Sequence, residues 1–474
     1  MPEALAIDTA RHLAGLQCER RLWLESHDPS DADPAGLAER DTAARARAEL
    51  CELAAALFPG AERDAVFAAR GLEARADFLV RDSGGGVGLR AVCASLRPSE
   101  AQLDELAFAK FVATAAGLEL ASVGVLHLDP EYVRGPGPVD PRALLRHSDV
   151  SRDVDFLARD LEPRLTGQAR ALAAREEPPV EPSPHCRRPQ PCVFWKRCTR
   201  ARGADWIGYL PGLRPQTHAA LVEAAIARIG EIPEEFPLSP SQRNARLAAA
   251  RGGPVAAPEL ARALAQLGPE PDYLDFEAII PEIPRFAGTR PLEPVPFQWS
   301  AHLAAEGGAL EHAEYLADGS CDPRRAFAES LAAAFAPRTR RIAVYSSFES
   351  DVLALLARAF PDLAPALERT RARLFDLLPV LRRSVYHPGF LGSFSLKRVA
   401  PVLAPGFGFG DLPGIADGGA ASRGWLALAR GELGPERGAA VLAELRLYCA
   451  RDSLALAVLV RALRELASAA THSP

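Results

Sequence analysis

The stretch that decides the fold of this 474-residue chain is DYLDFEAII, residues 272–280. Its apolar, β-prone residues predict a strand. Asp275 and Glu277 stand at i and i+2 within it, so their side chains share one face. Two acids on one face of a buried strand are costly unless a cation pairs with them. A divalent metal is the simplest such cation, because hard ions take carboxylate oxygens. On an edge strand the same acids would simply be solvated, and the stretch alone leaves both readings open.

Working outward, two more strands are expected in PFQWSAHLA and EHAEYLA. The helix AFAESLAAAFA, the strand RIAVYS, the helix ESDVLALLARAF and a long amphipathic helix over residues 437–467 follow. Three strands that give way to alternating helix and strand describe an α/β domain with a mixed sheet, assigned to residues 271–474. Glu349 falls in the first turn of ESDVLALLARAF, where the helix dipole favours a carboxylate. An acid there is common, and alone it says little. On the last helix, Tyr448 and Asp452 of YCARD are four apart and project from one face. Leu445, Cys449, Leu456 and Leu459 set that face near the core, whereas Arg446 and Arg451 suit the solvent side. A polar pair facing water is the plainer alternative for Tyr448 and Asp452.

D-x-E on a first strand, an acid after a later strand and Y-x-x-x-D on a final helix together resemble the DEDD exonuclease superfamily in its tyrosine variant, whose fold is RNase H-like. The resemblance implies a two-metal site, Mg2+ or Mn2+, made by Asp275, Glu277, Glu349 and Asp452, with Tyr448 orienting the attacking water. Two metals would stabilise the attacking and leaving oxygens of a phosphodiester. One departure matters: Glu349 stands where the superfamily usually has Asp, often after Asn, and here Tyr345-Ser346-Ser347-Phe348 precede it. The longer side chain shifts the carboxylate by a methylene and puts full activity in doubt. LFDLLPVLRR, with Asp376, and GSFSLKRVAPVL also resemble the substrate-side half of that superfamily. Asp376 is expected to support the site from behind. Lys397 and Arg398 are expected either to touch phosphate or to form a solvated basic pair.

The first 200 residues mix helix and strand. GLEARADFLV and VGLRAVCASL read as strands around the turn at residues 83–86, and LASVGVLHL as another. EEPPVEPSPHCRRPQPC is too rich in proline for regular helix. Residues 201–270, with QTHAALVEAAIARIG and APELARALAQLG, read as a helical connector. Its LPGL faintly resembles a helix-hairpin-helix, though a packing role explains it as well. Cys186, Cys192 and Cys198 are separated by five residues each, and Cys18 stands alone in LQCERRLWLE. Regular spacing in a proline-containing loop is a ligand pattern, and four thiolates suit zinc or an iron–sulfur cluster. Cys51, Cys93, Cys321 and Cys449 lack such partners and read as small buried hydrophobes.

One early cysteine plus a late cluster of three resembles the iron–sulfur RecB-like nucleases of the PD-(D/E)XK fold, including CRISPR-associated and AddB-type enzymes. The resemblance implies a [4Fe–4S] cluster on Cys18, Cys186, Cys192 and Cys198, with structural Zn2+ as the fallback. The whole chain resembles a bacterial family, domain of unknown function 2779, through LAGLQCERRLWLE, YLDFEAIIPEIPRFAGTRP, GSFSLKRV and YCARD. RecB-like enzymes bind metal through an Asp on one strand and E-x-K on the next. Asp77 in RADFLV matches the first, but Ala91 and Cys93 fall at the Glu and Lys positions, and Ala109 where Gln is frequent. Residues 1–200 are therefore expected to be catalytically degenerate. Arg187, Arg188, Lys196, Arg197, Arg200 and Arg202, with Phe194 and Trp195, form either a patch that holds a nucleic-acid strand or a solvated charged loop.

Composition adds bounds. The net charge of −6 gives no global argument for nucleic-acid binding, and Lys110, Lys196 and Lys397 are the only lysines. No uncharged apolar run approaches the ~18 residues of a membrane span. The start, MPEALAIDTARHL, lacks a secretory pattern, so the cytoplasm is expected. Cysteines there argue against disulfides. The expected function is a metal-dependent nuclease, a 3′–5′ exonuclease on DNA ahead of RNA, in repair or defence. The alternatives are a non-catalytic nucleic-acid-binding or sensing protein with both sites degenerate and, more remotely, a structural subunit of a repair complex.

Overall fold

The computed structural model describes residues 6–82 and 84–471. The chain divides into two compact units, residues 1–201 with 281–293, and residues 202–280 with 294–474. Both are mixed α/β.

The first unit is built on one sheet of β1 (Ile7–Asp8), β2 (Glu62–Ala69), β3 (Leu72–Arg81), β4 (Val87–Val92), β5 (Leu120–Leu128) and β6 (Leu145–Asp149). The sequence reading misses β2, whose polar residues obscure its alternation. It forms an antiparallel hairpin with β3 across Arg70 and Gly71, both at positive φ, the geometry that two-residue hairpins prefer. β3 pairs antiparallel with β4, β4 parallel with β5, and β5 antiparallel with β6. The parallel crossover is the helix Glu100–Ala115, started by a Ser99–Gln102 capping box. Its Phe108, Ala109 and Val112 pack on Ala76, Leu89, Ala91 and Val123. On the opposite face, Leu50 and Ala54 of the helix Pro34–Ala55 meet Phe78, Val92, Leu126 and Leu128. Residues 281–293 join this second cluster through Ile283 and Leu292. Arg134 N–H donates to Thr289 O at 3.0 Å and Gly288 N–H to Arg134 O at 2.8 Å. The boundary expected near residue 270 is thus replaced by one that hands a proline-rich excursion to the first unit.

The second unit contains β7 (Val255–Ala256), β8 (Asp272–Ile279), β9 (Val295–Ala304), β10 (Leu310–Leu316), β11 (Ile342–Val344), β12 (Leu374–Asp376) and β13 (Val385–Tyr386). The main sheet runs β10-β9-β8-β11-β12, antiparallel from β10 to β8 and parallel from β8 to β12. β8 is therefore its central strand, which removes the edge-strand alternative for Asp275 and Glu277. Leu274 and Phe276 bury one face against Phe327, Leu331, Val352 and Leu353. The other face looks to the long helix Pro435–Thr471, with Tyr273 packed on Leu456 and Val460. Residues 202–270 fold with this unit instead of standing as a separate connector. β7 pairs with β13, and Asn244 Nδ2 donates to Arg383 O at 2.8 Å. QTHAALVEAAIARIG is helical only over Pro215–Glu223, and Ala225 leaves the helix at φ 55°. Among the described residues no helix is long and apolar enough to cross a membrane.

Candidate metal centre

β8 and the long helix bring Asp275, Glu277 and Asp452 together. Each offers an oxygen, and the three oxygens lie within 4.8 Å of one another. Glu277 and Asp452 are 8% and 6% exposed, and Asp275 is half-buried. Among the described residues no arginine or lysine forms an ion pair with any of the three. Three residues earlier on β8, Asp272 is handled quite differently. It is fully buried and bound twice by Arg338, by Nε at 2.8 Å and Nη2 at 2.5 Å, while Ala304 N–H donates at 3.0 Å. A buried acid with its arginine is structural; the acids beside it have none.

That absence sets their protonation. Burial, followed by the charges of Asp452, Glu277 and Glu349, raises the Asp275 carboxyl well above its usual range. Burial and Asp452 do the same to Glu277, with Lys397 pulling the other way. Asp452 is pushed by burial up to about 6, against Lys397 and a hydrogen bond from Tyr448. Its Oδ1 is buried with no hydrogen-bond partner. Glu349 sits in the first turn of the helix Phe348–Ala359, as expected, and is buried. Its charge is felt by Asp275 and Glu277, but it does not join their tight group. Burial pushes it up to about 8, and Ser346 Oγ is 3.5 Å away.

Tyr448 is buried beside Asp452, to which its hydroxyl donates. Lys397 Nζ donates to the same hydroxyl, lies 4.0 Å from the ring centroid and donates to Ala416 O at 2.9 Å. Lys397 is thus fixed at the centre and is not part of a solvated basic pair. A Cβ built on Gly418 would lie 3.8 Å from Glu277 Oε2 and 4.0 Å from Tyr448 Oη, so the helix Gly418–Ala429 begins against the acids. Asp376 caps the helix Leu377–Ser384 by accepting from Leu378 N–H at 2.9 Å, and its charge raises Glu349.

The rotation of the long helix is set by contacts the sequence reading did not find. Cys449, expected as an inert core thiol, donates to Asp275 Oδ2 at 3.4 Å. Ser453 Oγ is 2.9 Å from both Ser300 Oγ and His302 Nδ1. Ser300 is the cross-strand partner of Asp275. The available signal was YCARDS itself, three polar side chains on the helical face that was already assigned to the core.

In the first unit, Asp77 meets a protein cation. Arg47 Nη2 donates to Asp77 Oδ2 at 2.9 Å and its Nη1 to Glu105 Oε1 at 2.7 Å, while Val92 N–H donates to Asp77 Oδ2 at 2.7 Å. Ala91, Cys93 and Ala109 belong to the apolar core. The guanidinium stands where a metal would need both carboxylates. Neither Arg47 nor Glu105 carries a motif that would have announced this.

Cys186, Cys192 and Cys198 each feel the charge of Cys18, and Cys186 and Cys198 also that of Cys192. Burial first, then these neighbours, pushes the Cys186 thiol up to about 11. Gln17, next to Cys18, clamps the loop by donating from Nε2 to the carbonyls of His185, Arg188 and Gln190 at 3.1, 2.9 and 2.8 Å. Three of the basic residues around these cysteines pair with acids. Lys196 pairs with Asp33 at 2.8 Å, Arg197 with Asp28 at 2.6 Å and Glu177 at 3.0 Å, and Arg200 with Asp31 at 3.5 Å. Phe194 is fully buried and Arg187 lies over Trp195. Cys321, read as a buried hydrophobe, is exposed, and Cys51 is half-buried.

No curated protein matches the chain. A solved structure described as "Crystal structure of SSO0001" aligns at 14% identity over 41% of this chain and 85% of its own, with a TM-score of 0.25, too loose a likeness to bear on the fold. Residues 272–395, from the start of β8 past Glu349 and Asp376 but short of Lys397, Tyr448 and Asp452, match the family model described as "Domain of unknown function (DUF2779)".

Proposed function

We propose that the second unit is a divalent-metal phosphodiesterase acting on nucleic acid, an RNase H-like 3′–5′ exonuclease of the tyrosine-bearing DEDD kind. One observation carries the reading: Asp275, Glu277 and Asp452 converge within 4.8 Å in a buried place where, among the described residues, no arginine pairs with them. The donor set fits Mg2+ or Mn2+, because every ligand atom is a hard oxygen and Asp452 Oδ1 lacks any other partner. Asp275, Glu277 and Asp452 would hold the ion, and Glu349 would serve a second. A bound ion supplies Lewis-acid stabilisation of phosphoryl charge. The chain's own residues orient the reactants. The Tyr448 hydroxyl accepts a hydrogen bond from Lys397 and donates one to Asp452, so its remaining lone pair is free to hold a water at a fixed angle. The Lys397 ammonium adds positive charge beside that water, where a phosphoryl oxygen becomes more negative as the bond breaks.

For the first unit we infer a [4Fe–4S] cluster on Cys18, Cys186, Cys192 and Cys198. The mutual charge effects among these thiols support four ligands that can converge on one centre, with structural zinc as the alternative. The Arg47 bridge favours a unit that does not cut.

Both halves are tested by cleavage of end-labelled DNA and RNA, single- and double-stranded, with Mg2+, Mn2+ or EDTA. The expected outcome is metal-dependent cleavage that Asp275→Ala abolishes and Asp77→Ala leaves nearly unchanged. Absence of cleavage on every substrate contradicts the enzyme reading.

A further inference from the structure

The strands β9 and β10 set two histidines directly opposite each other, His302 against His312. Their ring centroids are 5.0 Å apart and the rings are tilted by 38°. His302 is half-buried and His312 is exposed, so the pair is open to solvent. Two serines run behind it. His302 Nδ1 lies 2.9 Å from Ser453 Oγ, Ser453 Oγ 2.9 Å from Ser300 Oγ, and Ser300 Oγ 2.9 Å from His312 Nε2.

One carbonyl fixes the direction of every bond in this chain. Ser453 Oγ donates to Ala450 O at 3.2 Å, an oxygen that can only accept. With its single proton used there, Ser453 must accept from both Ser300 Oγ and His302 Nδ1. Ser300 then has no proton left for His312, so His312 Nε2 must donate to Ser300. A neutral imidazole protonated on one nitrogen carries a lone pair on the other. His302 Nε2 and His312 Nδ1 are therefore bare, and among the described residues neither has a hydrogen-bond partner. Burial, then the charge of His312, holds His302 down at about 4, so its ring stays neutral at neutral pH.

An imidazole whose N–H is anchored to a polar group, with its other nitrogen bare, is how proteins present histidine to a metal. The spacing agrees. Two imidazoles on one ion, with metal–nitrogen bonds of about 2.0–2.1 Å meeting at about 90–110°, put their ring centroids roughly 4.5–5.2 Å apart. Among the described residues no carboxylate or thiol is grouped with the two rings, so water completes the coordination.

We propose that His302 Nε2 and His312 Nδ1 bind a late transition ion, of the imidazole-preferring class of Zn2+ and Ni2+, at a site distinct from the carboxylate centre. Two neutral nitrogens suit such an ion and not Mg2+, which takes oxygen. Ser300 is the cross-strand partner of Asp275, and Ser453 follows Asp452 on the long helix. The two hydroxyls thus join the ion to the strand and the helix that carry the carboxylates.

The test titrates Ni2+ calorimetrically into the full chain at neutral pH, with excess Mg2+ present. Wild type should show a saturable site that His302→Phe and His312→Phe each weaken at least about 10-fold. Ser300→Ala keeps both ligands but removes the acceptor of the His312 Nε2 proton, and should weaken the site about 10-fold. Because the rings are already neutral, uptake should release almost no proton, as read from the dependence of the heat on the buffer; a thiol site releases protons as its sulfurs bind. Melting temperatures of the metal-free variants exclude misfolding. Ni2+ uptake that is absent from wild type, unchanged when both histidines are replaced, or accompanied by a full proton per ion overturns the proposal. No readout here depends on cleavage, so the outcome is separate from that of the nuclease reading.

Discussion

Glu349→Gln should stabilise the metal-free protein, and the gain should depend on pH. Glu349 is 4% exposed, and burial raises its carboxyl from an ordinary 4.5 to about 8. Between those values the folded chain holds a proton that the unfolded chain has released. Stability is therefore greatest below the unfolded pKa and is lost as pH rises toward the folded one. At pH 7 the penalty covers roughly two and a half pH units at 1.36 kcal/mol each, about 3 kcal/mol. Glutamine keeps the shape and removes the ionisation. Thermal unfolding in EDTA should show the variant roughly 6–12 °C more stable than wild type at pH 7, for a unit of this size, and nearly equal to it at pH 4.5. Adding Mg2+ should shrink or invert the gain at pH 7, because the carboxylate is then paired. A gain independent of pH, or destabilisation at pH 7 in EDTA, would refute the view that Glu349 is buried without a cation of the chain's own.

Tyr448→Phe removes the hydroxyl held between Lys397 and Asp452. It should lower kcat about 10- to 100-fold with KM changed by less than about 3-fold, as steady-state kinetics on a labelled oligonucleotide would show. Arg47→Met strands Asp77 and Glu105, whose side chains are 15% and 16% exposed. Loss of one partner of a buried pair costs about 3–5 kcal/mol, and the part-exposure of Arg47 lowers the expected loss to about 2–3 kcal/mol in urea unfolding. Adding Asp77→Asn should recover part of it. Protein purified without oxygen should contain iron and acid-labile sulfide, and Cys192→Ser should lose both and melt at a lower temperature. Zinc alone in the wild type would replace the cluster with a structural zinc site.

Hydrophobic pattern carried most of the second unit. DYLDFEAII and PFQWSAHLA became β8 and β9, because strands buried on two faces announce themselves by composition, and EHAEYLA became the more exposed β10 beside them. The acids at Asp275, Glu277 and Asp452 were legible for the same reason: charge inside an apolar run conflicts with burial unless it has a use. Other features arise only from tertiary contact. Arg47 reaches Asp77 from a separate helix, and one arginine among so many gives no signal. Lys397 read equally well as a solvated residue until Tyr448 and Ala416 O were seen around it. The acid partners of Lys196, Arg197 and Arg200 were not legible because Asp28, Asp31, Asp33 and Glu177 lie away from them in sequence. The boundary at residue 281 was hidden because PEIPRFAGTRPLE is an excursion between two paired strands, and only packing assigns Ile283 and Leu292 to the first unit.

The most direct test of the carboxylate centre is a titration of the full chain with Mn2+ at neutral pH, following the signal of the free ion. Wild type should take up Mn2+ saturably, Asp77→Asn should match it, and Asp275→Asn and Asp452→Asn should each lose the tightest uptake. Wild type that binds no Mn2+, or uptake that persists unchanged in Asp275→Asn, would contradict a metal centre built on Asp275, Glu277 and Asp452.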